Sequence, residues 1–374
     1  MKLSIITCTT LLAALLIQGN SATATTITVD IAGGGDFSQL QPAINASSPG
    51  DTIAVRPGQY AGDVKIVQAL GGISIIGPSP EDMAVIIGDT LGFVVGFVEQ
   101  PIHFENLQIR GARLRSALQI HGSRATVLNC ALIENHSVNG CSDVGGGSAL
   151  YYGSDVRFEN CLFENNTGWD AAGGLIVWDS RADVIGCTFR GNQACYGGAL
   201  EFYHCGEGYS SGYEPSVVEY NLFQGNTATE LGGALMTIDS SPIIRFNTFV
   251  DNDSPIGSAL RLMQGEPVIE NNVITGSDIP ITCVQYEDIP AAEPVMGRNL
   301  FWKHEGNPVA VCLESGDIVT ADPGFCDPEG GDFRVCAESP CLEGGQLGAF
   351  GAGCGACLVS VEGTSMGSFK ALFR

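Results

Sequence analysis

A short strand-like motif recurs along the middle of the chain and constrains the fold more than any other feature. The motif opens with Cys or Asn, carries an apolar residue two positions later, and closes with Asn. Copies stand at Cys161–Asn166, Cys187–Asn192, Asn221–Asn226 and Asn247–Asn252. Repetition of one short unit is the signature of a solenoid, in which each unit stacks on the next.

The opening residue of each copy sets the register of the coils. The opening positions are Leu107, Cys130, Cys161, Cys187, Asn221, Asn247 and Asn272, at spacings of 23 to 34 residues. The apolar residues that follow are Leu132, Phe163, Phe189, Phe223, Phe249 and Ile274. Because side chains two apart share a strand face, the pattern predicts an inward column in which Asn amides hydrogen-bond to one another and Cys thiols are buried. Metal binding by the cysteines is the alternative, but an in-line stack does not converge tetrahedrally.

A second strand follows in each coil, after a small residue. Its inward residues are predicted to include Ile120, Tyr152, Trp178, Phe202 and Leu262, with Thr237 as a polar exception. Several strands per coil and no long helical pattern predict an all-β fold, a right-handed parallel β-helix. A leucine-rich repeat is disfavoured, because the chain lacks the Leu-x-x-Leu-x-Leu core that this fold needs. A propeller would need four strands per repeat. A short helix within 36–46 is predicted to cap the N-terminal end.

The ends of the chain predict export. Residues 1–24 combine Lys2, an apolar run and the small residues Ala22–Ala24, as in a cleaved signal peptide, and no later segment is long enough to anchor in a membrane. We therefore expect a secreted or cell-surface protein. The net charge of −24 disfavours nucleic acid as a partner. No cofactor is indicated; calcium is a plausible ligand for so acidic a chain, and solubility alone is the simpler interpretation. The oligomeric state is not indicated.

The cysteines fit an oxidising compartment. The chain has 14, and loss of Cys8 with the signal peptide leaves an odd number, so at least one stays a thiol or pairs with another chain. Disulfides are expected for Cys195 and Cys205, which flank one strand. They are also expected among Cys326, Cys336, Cys341, Cys354 and Cys357, in a Gly-rich C-terminal end with little core. The connectivity is left open.

Two stretches resemble a known superfamily. Residues 34–41 (Gly-Gly-Asp-Phe-Ser-Gln-Leu-Gln) and 50–60 (Gly-Asp-Thr-Ile-Ala-Val-Arg-Pro-Gly-Gln-Tyr) resemble the opening of pectin-lyase-like right-handed β-helix proteins, which pectin methylesterases share. The later coils are similar to the repeat region of exported bacterial β-helix proteins. The Gln-Ala-Val-Ala, Asp-Phe-Ile-Phe-Gly and Gly-Arg-Pro-Trp motifs of the methylesterases are absent. So are the Asn-Thr-Asp, Gly-His-Gly and Arg-Ile-Lys signatures of polygalacturonases, and no catalytic residue carries over.

The resemblance also divides the chain. Residues 322–341 are similar to the closing segment of many such bacterial proteins, so the β-helix is expected to span 25–350. Residues 351–374 then form a tail, which includes Lys370 and Arg374 in an otherwise acidic protein. A sorting or attachment segment and a frayed terminus are equally compatible with this composition.

Candidate site residues come from the predicted outer face of the second strands. One outer column is predicted to hold Tyr151, Glu201 and Arg261, and the next His121, Asp179 and Tyr203. His121, Tyr151 and Tyr203 are the predicted sugar-binding residues, because aromatic rings and polar groups suit sugars. Asp179 and Glu201, on adjacent coils and two residues apart in register, are predicted to have Cα atoms ~8 Å apart, which suits an inverting glycosidase. Arg261, His121 and Tyr203 are candidate bases for a lyase.

Three functions remain open at this stage. The leading hypothesis is an exported protein that binds polysaccharide, a cell-surface component or another extended partner along its wall. The second is a polysaccharide hydrolase or lyase, and the third is a structural or adhesive solenoid without catalysis. One fold hosts all three, so the fold alone does not decide among them. The acidity of the chain argues against a uronate substrate unless a cation is bound.

Overall fold

Three parallel β-sheets run the length of a right-handed solenoid, with one strand from each sheet in every full coil. The computed structural model describes residues 23–67, 70–137, 145–205, 214–283, 285, 289–304, 306–310, 312 and 316–357. Nearly all of the predicted signal peptide, residues 358–374 of the predicted tail, and Cys141 lie outside these ranges. The predicted fold class, a right-handed parallel β-helix, is confirmed.

The strands belong to three sheets, here called A, B and C in the order in which the chain visits them. In the described ranges sheet A has 11 strands: Thr26–Val29, Thr52–Val55, Ser74–Ile76, Ile102–Glu105, Arg124–Leu128, Asp155–Glu159, Arg181–Ile185, Val217–Glu219, Ile243–Arg245, Val268–Glu270 and Val295–Met296. Sheet B likewise has 11: Gln59–Ala61, Ala84–Ile87, Leu107–Arg110, Ala131–Ile133, Leu162–Glu164, Thr188–Arg190, Leu222–Gln224, Thr248–Val250, Val273–Thr275, Arg298–Trp302 and Asp317–Thr320. Sheet C has 10: Val64–Val67, Phe93–Gly96, Leu118–His121, Ser148–Tyr151, Leu175–Trp178, Leu200–Tyr203, Leu235–Ile238, Leu260–Met263, Ile281–Thr282 and Val309–Ala310.

The apolar position of the repeat forms the centre of the core. Phe163, Phe189, Phe223 and Phe249 pair in register on successive strands of sheet B and are fully buried. Their rings stack face to face, with centroids 4.5, 4.9 and 4.7 Å apart. The spacing matches that of hydrogen-bonded strands, so equivalent residues pack on one another along the solenoid.

The polar opening position forms the predicted buried ladder. Asn221 Nδ2 donates to Asn247 Oδ1 at 2.9 Å, Asn247 to Asn272 at 3.0 Å, and Asn272 to Asn299 at 3.0 Å. Cys187 continues the column, because its backbone N–H donates to Asn221 Oδ1 at 2.7 Å. Cys130 and Cys161 are buried thiols, as predicted, and burial raises the pKa of the Cys130 thiol well above its usual value.

The Asn that closes each motif forms a second ladder. Asn135, Asn166, Asn192, Asn226 and Asn252 are buried and linked amide to amide, at 3.0, 3.0, 2.9 and 2.9 Å. Each of the last four amides also donates to a backbone carbonyl of an earlier coil, as Asn226 does to Phe189 at 2.9 Å. Both oxygens and N–H groups of the amides are therefore satisfied inside the wall.

Disulfides occur at the C-terminal end, as expected. Among the described cysteines, the bonded pairs are Cys283–Cys312, Cys326–Cys354 and Cys336–Cys357. Cys341 is a buried thiol. The expected use of Cys195 and Cys205 in disulfides is wrong, since both are thiols within the described ranges. They lie beyond opposite ends of the strand Leu200–Tyr203, which separates them by more than the ~7 Å that a disulfide spans between Cα atoms.

The ends of the solenoid are covered differently. The helix Leu40–Ala46, shorter than predicted, buries Leu40, Ala43 and Ile44 against the core. A small sheet of Phe325–Asp327, Asp332–Cys336 and Ala352–Cys354 follows the last coil, with a 3₁₀ turn at Pro340–Leu342. In the ranges described, no helix has the length and apolar character to cross a membrane.

The predicted register of sheet C is wrong in two coils. Ile120, Phe202, Thr237 and Leu262 are buried as predicted, but Tyr152 and Trp178 do not point inward. Leu118 pairs with Ser148, and Ser148 with Leu175, so Leu150 and Val177 take the inward positions. The strand Ser148–Tyr151 is shifted by two residues from the predicted register, which leaves Leu150 inward and puts Tyr152 in the turn. The strand Leu175–Trp178 is shifted by one residue, which exchanges its two faces.

Candidate functional site

Half-buried and exposed aromatic side chains lie near one another on the outer face of sheet C. In the observed register Val67, Gly96, His121 and Tyr151 share one outer column, which continues through Trp178, Tyr203, Ile238 and Met263. The strands end at this column and turn. The turn residues Phe97, Tyr152, Asp179 and His204 all have left-handed backbone, with φ between 43° and 56°. We call His121, Tyr151, Trp178 and Tyr203, with Phe97, Tyr152 and His204 beside them, the aromatic strip.

The rings of the aromatic strip pack on one another along the solenoid. His121 and Tyr151 stack at 5.0 Å with an interplanar angle of 23°, and Trp178 and Tyr203 lie 4.4 Å apart at 37°. His204 extends the second group, 4.0 Å from Tyr203. Because neighbouring rings cover one another's faces, the strip presents mainly ring edges to solvent. These edges carry tyrosine hydroxyl and imidazole groups, which donate and accept hydrogen bonds.

Two turn residues are the most exposed members of the aromatic strip. Phe97 and Tyr152 are 58% and 65% exposed, and their rings stack at 6.2 Å. Exposed aromatic groups at one end of a half-buried row are typical of a binding surface. From the coil of Phe97 to the coil of Tyr203 the strip crosses four strand spacings, about 19 Å.

The column next to the strip is buried, although it faces outward. It contains Gln119, Ala149, Ile176, Glu201, Met236 and Arg261. The prediction that Tyr151 lies in this column is therefore wrong. The prediction that the column is exposed is also wrong, because Glu201 is 4% and Arg261 1% exposed. The loops that lead into sheet C cover it. A Cβ on Gly197 would stand 3.0 Å from Glu201 Cβ, and one on Gly232 3.2 Å from Arg261 Cβ.

The structure does not bring Asp179 and Glu201 together in the predicted way. Glu201 pairs with Ile176, so Asp179 lies three residues away in register instead of two, and beyond the end of its strand. Its place is the turn beside His204. Burial raises the pKa of the Asp179 carboxyl, and His204 partly offsets this. The geometry predicted for an inverting pair is therefore wrong.

Arg261 lies two strands from Glu201, with Met236 between them. Burial lowers the pKa of its guanidinium to about 10, so it stays charged at neutral pH. A charged guanidinium is not a general base. His121 is half-buried, and burial followed by the charge of Arg115 lowers its pKa, which favours the neutral imidazole.

A pocket of about 230 Å³ opens beside the strip. Its floor is Ile176, Glu201 and Met236, and Trp178 and Tyr203 form the side shared with the strip. The opposite side comes from the loops that lead into sheet C, which supply Asp170, Ala171, Tyr196 and Leu231. Ile289 reaches the pocket from the loop that leaves sheet C after Ile281–Thr282. Tyr196 and Leu231 end two short strands, Gln193–Tyr196 and Thr227–Leu231, which pair with each other. Glu201 Oε2 accepts a hydrogen bond from the Ala172 N–H at 3.3 Å.

The sequence predicted Glu201 and Tyr203 as outward-facing residues but did not predict the residues that loops contribute to the pocket. Asp170, Tyr196, Leu231 and Ile289 stand in segments that the repeat pattern does not cover. Within the part of the chain that the structure describes, no group of three or more His, Cys, Asp or Glu side chains is arranged to hold a metal ion.

Comparison with known proteins agrees with this architecture. Residues 115–288 match the family model for the right handed beta helix region. No curated protein sequence matches the chain. An alginate lyase of family PL6, solved with a trisaccharide, has 14% identity and a TM-score of 0.47, over 90% of this chain and 85% of its own. Pectate lyase Pel9A has 13% identity and a TM-score of 0.43, over 89% of this chain and 97% of its own. Pectin methylesterase PemA from Erwinia chrysanthemi has 14% identity and a TM-score of 0.39, over 80% of this chain and 93% of its own.

Every one of these TM-scores is below 0.5. The fold is therefore established by the strand pairing and the family match. The chain folds as a right-handed parallel β-helix of three sheets.

Proposed function

We propose that the protein binds a neutral, extended polysaccharide along the aromatic strip. The observation that carries the proposal is the run of His121, Tyr151, Trp178 and Tyr203 on consecutive strands, with Phe97 and Tyr152 exposed beside it. Ring edges and hydroxyls repeat at the strand spacing, which suits a ligand that is itself repetitive and rich in hydroxyl groups. The exposed rings of Phe97 and Tyr152 offer apolar contact for one sugar ring.

The charge of the protein supports a neutral ligand. With a net charge of −24, the surface would repel a polyuronate unless cations screened the repulsion. The proposal includes an exported location, a signal peptide at 1–24, a β-helix over 25–350 and a tail at 351–374. The disulfides support an oxidising compartment.

The test is retention on a panel of neutral and acidic polysaccharides in affinity electrophoresis, with calcium and with a chelator. Tyr152→Ala and Phe97→Ala should each weaken retention about 5- to 30-fold, because each removes an exposed ring worth ~1–2 kcal/mol. Tyr220→Ala is the matched control. Tyr220 is 42% exposed and stacks on Phe246 at 5.2 Å, but at a different corner of the solenoid, so its loss should leave retention unchanged.

Other outcomes favour the other functions. If no polysaccharide is retained, the binding proposal fails and a structural or adhesive solenoid is the better interpretation. An enzyme is the second candidate, because Glu201 is a buried carboxylate in a pocket beside the strip. Release of oligosaccharides from a retained polymer, lost in Glu201→Gln and kept in Asp179→Asn, would replace the binding proposal with catalysis.

A further inference from the structure

The pocket beside the aromatic strip has the size of a subsite for part of a ligand. Its volume of about 230 Å³ is below the ~300–1,000 Å³ of pockets that enclose a whole drug-sized ligand. Because Trp178 and Tyr203 line both the pocket and the strip, a chain bound on the strip passes the mouth of the pocket. One substituent of that chain can therefore enter it.

The lining of the pocket selects the chemistry of that substituent. Leu231, Met236, Ile238 and Met263 make most of the wall apolar, and Glu201 places a carboxylate at the floor. The charged residues that line the pocket within the described ranges, Asp170 and Glu201, are both acidic. An anionic group such as a uronate or sulfate would be repelled and left without a partner. A plain hydroxyl would leave the apolar wall unfilled.

We infer that this pocket receives the 2-acetamido group of an amino sugar, which deepens and rests on the proposed binding of a glycan along the strip. An acetamido group combines an N–H donor with a methyl group. The N–H donates to the Glu201 carboxylate, while the methyl packs against Leu231, Met236 and Ile238. A carboxylate has two oxygens with about four acceptor positions, so Glu201 takes this donor in addition to the Ala172 N–H.

The first experiment uses single sugars, so that it does not depend on binding along the strip. Ligand-observed NMR compares methyl N-acetyl-β-glucosaminide with methyl β-glucoside at equal concentration. The two differ only in acetamido for hydroxyl. We expect saturation transfer to the acetamido sugar, strongest at its methyl group, and about tenfold less to the glucoside, because a hydrogen bond to a charged group and the methyl contact are both lost. Equal transfer to both sugars, or transfer to neither, would overturn the inference.

Two variants assign the binding to the pocket. Glu201→Leu removes the acceptor and should lower transfer to the acetamido sugar about tenfold, while Glu201→Gln, which keeps an amide oxygen in place, should restore part of it. Ile238→Trp fills the pocket from the outer column without touching the inward core, since Ile238 pairs with Tyr203 on the outer face. It should abolish the preference for acetamido over hydroxyl. Melting temperatures report whether each variant is folded. Preference that survives Ile238→Trp in a folded protein would place binding elsewhere and refute the inference.

A second comparison separates this inference from the proposed function. Hexamers of N-acetylglucosamine and of glucose are titrated into the protein and into Tyr152→Ala. If the strip binds glycans, both hexamers bind more tightly than their single sugars and both weaken in Tyr152→Ala. If the strip proposal alone is wrong, the single acetamido sugar still responds to Glu201→Leu, but the hexamer gains nothing over it. If the pocket inference alone is wrong, both hexamers bind equally and Tyr152→Ala weakens both.

Discussion

Asparagine stabilises the coils at the scale of single residues because its amide has the same donor and acceptor as the backbone. A side chain with both groups can join identical neighbours above and below it without leaving a buried atom unsatisfied. Asn226 shows the full set: its Oδ1 accepts from the backbone N–H and the amide of Asn192, at 3.0 and 2.9 Å. Its Nδ2 donates to Asn252 and to the Phe189 carbonyl, both at 2.9 Å.

Asn226→Ala should therefore lower the free energy of unfolding by about 3 kcal/mol or more. The substitution removes four hydrogen bonds and leaves buried partners on two neighbouring coils without theirs, at ~1–3 kcal/mol for each unsatisfied group. Chemical denaturation measures the loss. Asn165→Gly is the control, since Asn165 is exposed at a left-handed corner, with φ of 53°, that glycine also adopts. A loss in Asn226→Ala no larger than in the control would show that the ladder contributes little.

Asp179 should make the protein less stable as the pH rises, which is opposite to the usual effect of a carboxylate. Burial raises its pKa above the ordinary value of 3.8, and its Oδ1 is a buried atom with no hydrogen-bond partner among the described residues. The folded state thus binds the proton more tightly than the unfolded chain, so stability falls as pH rises from 3.8 through the folded pKa. Asp179→Asn should unfold at a higher temperature than the parent protein at pH 7, with the difference shrinking below about pH 4. A constant difference across pH would mean that the charge is not the cause.

At the scale of the element, the turns that lead into sheet C decide what the outer face exposes. Gly197 has φ of +54°, and a Cβ there would stand 2.8 Å from the Leu200 carbonyl oxygen and 3.0 Å from Glu201 Cβ. Only glycine both adopts this backbone and lets the turn lie this close to the wall. The turn buries Glu201 and forms one side of the pocket.

Gly197→Ala should cost about 2–4 kcal/mol and disturb the pocket. Part of the cost is the left-handed backbone, ~1–2 kcal/mol, and the rest is the displacement of the turn. Gly225→Ala isolates the first part, because Gly225 has φ of +60° and a Cβ added there would meet no atom within 4 Å. Thermal unfolding of the two variants gives the difference. Equal losses would show that the turn has room to move away from Glu201.

The register of the coils could be predicted from the sequence where one type of residue marks the start of a strand. The predicted register was wrong where loops of different length precede the strands. The middle strands of sheet B were placed correctly, because Cys161, Cys187 and Asn221 each stand one residue before a strand and are buried in the core. In sheet C the loops vary in length, and Trp178 moved to the outer face through a slip of one residue. The pocket was not predictable, since Asp170 and Ile289 reach it from segments without a repeat.

At the scale of the whole molecule, each coil contacts mainly its neighbours. The end coils therefore need a separate cap to cover the core that no further coil covers. The C-terminal sheet folds back over the outer face of sheet B instead of simply continuing the solenoid. Phe333 packs with Leu222 and Val250, which are buried although they face outward. Farther along, Val335 and Leu347 pack with Val273 and Leu300. The Ala349 N–H donates to Thr248 Oγ1 at 3.0 Å, across 101 residues of sequence.

The Cys326–Cys354 disulfide should hold this covering sheet in place. It closes a loop of 28 residues in a part of the chain with a small core, so its removal should cost about 3 kcal/mol there. We expect the double variant Cys326→Ser, Cys354→Ser to lose hydrogen-exchange protection over 325–354 while the strands of sheet C keep theirs. It should also bind more of a hydrophobic dye, because Leu222 and Val250 become exposed.

Cys195→Ser provides the comparison for this prediction. Cys195 is a partly exposed thiol whose Sγ lies 3.1 Å from the Trp169 carbonyl oxygen, so the substitution removes a sulfur without opening a disulfide. It should leave both exchange and dye binding close to those of the parent protein. If the double variant instead lost protection evenly along all coils, the C-terminal sheet would unfold together with the solenoid. The disulfide would then stabilise the whole molecule, since loss of the cover would open every coil beneath it and not the covering sheet alone.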